Sequence, residues 1–184
     1  MDLFPLVHVM PEETLVVVRG RLETWLGQKP TDEAIAGLKE AMRQQVDFCR
    51  LSEGVRVGWE AFYHRLEPED IIQRYRWLFV KSWVEYAAGE IQDEVFNLQA
   101  RDQAVEKQRT EALKAILVAR GTAGLWELAQ HGEAQFVIGQ LASTLLNDDE
   151  WIELLQSCLT MEVDPKREAL VQGLTVEVPS GRLS

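Results

Sequence analysis

Basic side chains, cysteine, histidine and uninterrupted apolar runs are all scarce in this sequence, and each shortage removes a class of function. Only 19 Lys and Arg stand against 30 Asp and Glu, giving a formal net charge of −11. Most faces of such a chain repel a polyanion, because nucleic-acid binding draws on Lys/Arg surfaces that release counterions. The two cysteines, Cys49 and Cys158, lie far apart in apolar helical contexts, where a free thiol acts as a small hydrophobe. They suggest no disulfide framework and point to a reducing compartment. No uncharged apolar run approaches the ~20 residues of a membrane span. The start, Met1-Asp2-Leu3-Phe4-Pro5, has no basic region followed by a long apolar core, so no signal peptide is read. The expectation is a cytoplasmic protein with no membrane contact.

Recognisable chemistry is equally thin. Gly54, Gly58, Gly121 and Gly124 lack the lysine and strand context of a phosphate loop. No Ser stands in a strand–elbow–helix setting, and thiols on apolar stripes are raised in pKa and inert. The three histidines are His8 in an apolar N-terminal stretch, His64, and His131 at a turn. No catalytic residue and no cofactor is assigned.

What the chain does contain is helix-forming pattern. With 184 residues, 46% apolar, and six Trp, it can build a real core with large rigid pieces. Pro11-Glu12-Glu13 reads as a helix first turn, acids at the positive end of the dipole. Leu15, Val18, Leu22 and Trp25 follow on one face, although Leu15–Val18 also fits a strand. Gly27 and Pro30 end this element. Thr31 caps a second helix, whose stripe of Ile35, Leu38, Met42, Val46 and Cys49 runs to about Leu51. A third covers Val55 to Leu66. Pro68 opens a fourth, in which Ile71, Ile72, Tyr75, Leu78, Phe79 and Trp83 repeat at helical spacing to 83.

Glu94 to Thr110 predicts an exposed or connecting helix, and Leu113, Ile116 and Leu117 return to the core. From Gly121 the pattern is regular: Gly121–Gln130, Glu133–Leu146, a helix capped by Asn147 with Glu150 answering, and one opened by Asp164-Pro165 that ends near Gly173. Leu174 to Pro179 alternates like a short strand. Turns of two to four residues imply antiparallel neighbours. The fold class read from this is all-α, with antiparallel helices in an irregular bundle or a short HEAT-like α-solenoid. The domain reading is one helical domain, with halves 1–92 and 93–173 and a flexible tail 174–184.

Two local clusters carry groups with chemical potential. Glu60 and His64 lie four apart on one helix face, with Glu67, Glu69 and Asp70 close behind. They are the candidate metal ligands, but helical carboxylate sites use a second Glu-x-x-His that is missing here. Arg74-Tyr75-Arg76-Trp77 mixes basic and aromatic residues as single-strand binders do, and reads as a solvated flank. Trp77 and Trp126 each lie off the main stripe of their helix and are the candidate partner contacts.

The segments EPEDIIQRYRWLFVKSW (67–83) and Arg109 to Leu159, with its phrases GTAGLWELA and FVIGQLA, resemble helical-repeat, HEAT-like sections of large bacterial multidomain proteins. That resemblance implies a scaffold or partner-binding array that leaves the chemistry to another domain. It carries over no functional residue. The start of the chain and the lack of a polar end cap also fit a section of a longer protein. The functional expectation is a protein–protein interaction or scaffold module, binding another protein or another domain of a parent chain. The alternatives are a metal- or small-ligand-binding helical protein or enzyme around Glu60 and His64, and an acidic mimic of nucleic acid.

Overall fold

The computed structural model describes residues 7, 9–84, 98–160 and 164–176, and these are all-α, with eight α-helices and no strand among them. None of those helices is long and apolar enough to cross a membrane. The described residues fall into two compact units. The first runs to Arg74; the second takes Tyr75–Val84 and everything from Leu98 on.

In the first unit, α1 (Glu12–Gly27) follows Pro11, which stands at the N-cap with extended backbone. The Pro11 carbonyl accepts from the Thr14 and Leu15 N–H groups at 3.0 and 3.1 Å. The strand alternative for Leu15–Val18 is overturned. Leu15 is buried while Val16 and Val17 face solvent, so a 3.6-residue period has won over β-branched propensity. The chain leaves α1 through Lys29, which takes a left-handed conformation (φ 55°), before Pro30.

Helix α2 (Asp32–Gln45) is capped as expected: the Thr31 hydroxyl accepts from the Ala34 N–H at 3.3 Å. Met42 and Val46 of its stripe are fully buried, but Cys49 is exposed. The helix ends four residues before Cys49. Asp47 then caps a 3₁₀ turn, Phe48–Arg50, by accepting from the Cys49 N–H at 3.1 Å. That turn takes the thiol off the helical stripe. Helix α3 (Glu53–Arg65) buries Val55, Trp59 and Phe62, and with Leu15, Met42, Val46 and Leu66 they form the core of this unit.

The long helix expected from Pro68 to Trp83 does not form. Asp32 accepts from the Glu69 and Asp70 N–H groups at 3.0 and 2.8 Å, tying residues 68–70 to the start of α2. Asp70 in turn accepts from the Gln73 N–H at 2.9 Å. Helix α4 (Ile71–Tyr75) therefore starts three residues beyond Pro68 and lasts five residues. It gives way to a 3₁₀ segment, Arg76–Phe79, and an irregular run to Val84.

The second unit is built on α5 (Leu98–Gln130), α6 (Gln135–Leu145), α7 (Asp148–Leu159) and α8 (Pro165–Val176). Helix α5 is interrupted at Gly121 (φ 62°, ψ −158°), where the sequence pattern restarts; only glycine occupies that region without strain. Residues 94–97 of the predicted connecting helix lie outside the described residues. The capping box of α7 is present in full. Asn147 accepts from the Glu150 N–H and the Glu150 carboxylate accepts from the Asn147 N–H, each at 3.0 Å.

At its end, α8 continues past Gly173 to Val176, with Leu174 fully buried and its carbonyl accepting from the Trp151 indole N–H at 3.3 Å. The strand reading is thus overturned for residues 174–176; 177–179 lie outside the described residues. An alternating pattern of three residues cannot compete with a buried last turn.

Helices α6 and α8 cross at backbone contact. A Cβ on Gly139 would lie 2.2 Å from the Leu170 carbonyl oxygen, and one on Gly173 would lie 2.1 Å from that of Phe136. Gly139→Ala and Gly173→Ala are each expected to cost about 2–3 kcal/mol by forcing this crossing apart. Gly37, in the middle of α2, is the contrasting site: a Cβ there would meet nothing within 4 Å. Gly37→Ala is expected to stabilise by about 0.5–1 kcal/mol through helix propensity. Urea titrations of the three variants check the opposite signs.

Candidate partner-binding surface

A buried arginine shapes a recess of the second unit. Arg109 lies on the same face of α5 as Leu113 and Ile116, all three buried. Its guanidinium uses all three nitrogens on backbone carbonyls: Nε donates to Leu78 O at 2.9 Å, Nη1 to Ser82 O and Nη2 to Lys81 O at 3.0 Å each. Burial pushes its pKa below the usual arginine value. Two turns earlier on α5, Arg101 donates to the Val84 carbonyl. Carbonyls that a continuing helix would satisfy internally are held by these two side chains instead, which explains why the helical pattern of 67–83 is broken.

The turn after α5 buttresses the same segment. The Glu133 N–H donates to Val80 O at 2.8 Å, and Gly132 sits so close that a Cβ on it would lie 2.1 Å from Phe79 O. Only glycine fits that approach.

Pinned in this way, residues 82–84 form one wall of a cleft of about 500 Å³ closed by α5 and α6. Trp83, Val105, Val137 and Leu141 give it apolar surface, and Glu106 and Thr144 are among its polar groups. Trp83 is 57% exposed, with the Lys81 Nζ 5.6 Å from its ring centroid. The sequence pattern had placed Trp83 on a core stripe. The structure moves it to the surface because the helix that would have carried it stops at Tyr75.

The sequence-derived candidates are distributed differently. Trp77 and Trp126 are half-buried, and the Arg167 guanidinium covers Trp126 at 4.8 Å from its ring centroid. Glu60 and His64 lie one turn apart on α3, half-buried and exposed respectively, with the His64 ring set edge-on to Tyr63. Among the described residues no three His, Cys, Asp or Glu side chains are grouped to hold a metal ion. Glu67 is engaged with Lys39 and Arg74, the latter at 3.1 Å, and Asp70 caps α4. Arg74 also donates to Pro68 O, so this basic group is tied down locally, and Tyr75 is half-buried. His131 sits in the turn after α5, and His8 lies outside the described residues.

The residues that sequence reasoning missed are Arg109 and Trp83. Arg109 had a usable signal: it extends the stripe of Leu113 and Ile116 by one turn. Trp83 had none, because its exposure depends on a helix that fails to propagate.

Replacing Arg109 by Ala leaves three carbonyls unsatisfied, and is expected to cost about 3 kcal/mol or more in a urea titration. It should also raise amide exchange in 78–84. The thiols supply a second check. Burial raises the Cys158 pKa, only partly offset by the Ser157 hydrogen bond and the Arg167 charge, whereas Cys49 is exposed. At pH 8 a thiol reagent is expected to label Cys49 rapidly and Cys158 only on unfolding, read by mass spectrometry. Compared with protein-family models, curated proteins and solved structures, the chain finds no match.

Proposed function

We propose that this chain is a protein–protein interaction or scaffold module of the helical-repeat kind, acting in the cytoplasm without a catalytic site of its own. The observation that carries this reading is Trp83, an exposed indole beside a cleft of mixed apolar and polar surface. Aromatic anchors next to an apolar recess with a polar rim are where binding energy concentrates in protein interfaces. Trp77 and Trp126 present less ring surface, since both are half-buried and Arg167 covers the second. Neither is among the residues that line the cleft beside Trp83.

The partner is another protein, or another domain of a parent chain, that inserts apolar side chains beside Trp83. The net charge of −11 argues for a partner with a basic or neutral face, and against nucleic acid. The alternative built on Glu60 and His64 has no third donor among the described residues to support it.

Affinity capture from native lysate, followed by titration of the captured protein, tests the assignment. Trp83→Ala is expected to weaken binding by about 2 kcal/mol, roughly thirtyfold, while Trp126→Ala changes it little. Capture and affinity unchanged in Trp83→Ala would remove Trp83 as the anchor.

A further inference from the structure

The first unit has a recess of its own, between α1 and α2, of about 570 Å³. Val18, Leu22 and Trp25 of α1 face Leu38 and Ala41 of α2 across it. These walls, with Val7 and Met10 of the segment before α1, lie over the unit's core of Leu15, Met42, Trp59 and Phe62, which is itself buried. One lining side chain among the described residues is polar: Arg21, one turn from both Val18 and Trp25. Among those residues it has neither an ion-pair nor a hydrogen-bond partner.

The α2 side of the lining includes small residues, and they do not act as small residues do at a helix crossing. Gly139 and Gly173 let two backbones touch; Ala34 and Gly37 also line this recess, yet a Cβ on Gly37 would meet nothing within 4 Å. A glycine in mid-helix weakens the helix relative to alanine, and no close approach offsets that here. Its effect is to keep space open above α2.

We propose that this recess binds a single-chain amphiphile with a carboxylate head, a ligand of the long-chain fatty-acid class. The volume falls in the range of small-molecule sites, about 300–1,000 Å³. An unbranched alkyl tail brings no polar group that the walls would leave unsatisfied. The guanidinium of Arg21 meets the head with two parallel donors, the geometry that suits a carboxylate. A cationic head of the same chain length is repelled there.

The test is calorimetric titration of the full chain with octanoate, decanoate and dodecanoate, each below its micelle concentration. Affinity is expected to rise about fourfold per added methylene. Arg21→Gln, a change at an exposed position, is expected to weaken dodecanoate about fivefold and to leave 1-dodecanol unaffected. Gly37→Leu, whose side chain would take up space in the recess that Gly37 lines, is expected to abolish binding of both while helix content by circular dichroism is retained. No heat of binding with dodecanoate overturns the proposal. So does binding that neither substitution alters, since the ligand would then lie elsewhere. Self-association that Gly37→Leu abolishes and dodecanoate does not displace would assign the recess to a second copy of the chain.

Discussion

The second unit depends on one desolvated cation. Three carbonyls of the 78–82 segment converge on the Arg109 guanidinium at 2.9–3.0 Å, in a site where burial disfavours its charge. A buried guanidinium is tolerated only when its donors are satisfied, and here the backbone satisfies them. The exchange has two consequences. The segment after Tyr75 gives up regular helical hydrogen bonding, and Trp83 is presented beside a cleft when it would otherwise sit on a buried stripe. The proposed binding surface is therefore a product of core electrostatics on α5, some 26 residues away in sequence.

Glycine has opposite effects in the two units. Gly139 and Gly173 bring α6 and α8 to backbone contact, close enough that a single methyl group on either would collide with a carbonyl oxygen. Such a crossing packs Leu170 and Leu174 to full burial and gives the glycine of FVIGQLA a packing role. Gly37, by contrast, approaches nothing. All three are helical glycines with ordinary φ, and spacing alone does not separate them. What differs is the distance to the neighbouring helix, about which a one-dimensional pattern is silent.

Much of the helical plan was legible. Starts were the best-read feature because they are local: Thr31, and Asn147 with Glu150, cap through bonds that span three residues, and the φ of Gly121 is a property of one residue. The misreadings cluster where a distant group captured the backbone. Asp32 took the N–H groups of Glu69 and Asp70, and Arg109 took the carbonyls of 78–82, so a 16-residue helical pattern became five helical residues and a 3₁₀ turn. Cys49 left its stripe because Asp47 offered a cap.

The sequence by itself determined that the chain is all-α, that it has apolar stripes sufficient for a core, and that it carries a strongly acidic charge. It also located most helix boundaries, since periodicity and capping are short-range properties of the chain. Only the tertiary structure decided which tryptophan faces solvent, which arginine is buried, and which small residues pack against a neighbour or leave a recess open. Those outcomes rest on where separate helices meet, and on competition between backbone partners that lie tens of residues apart.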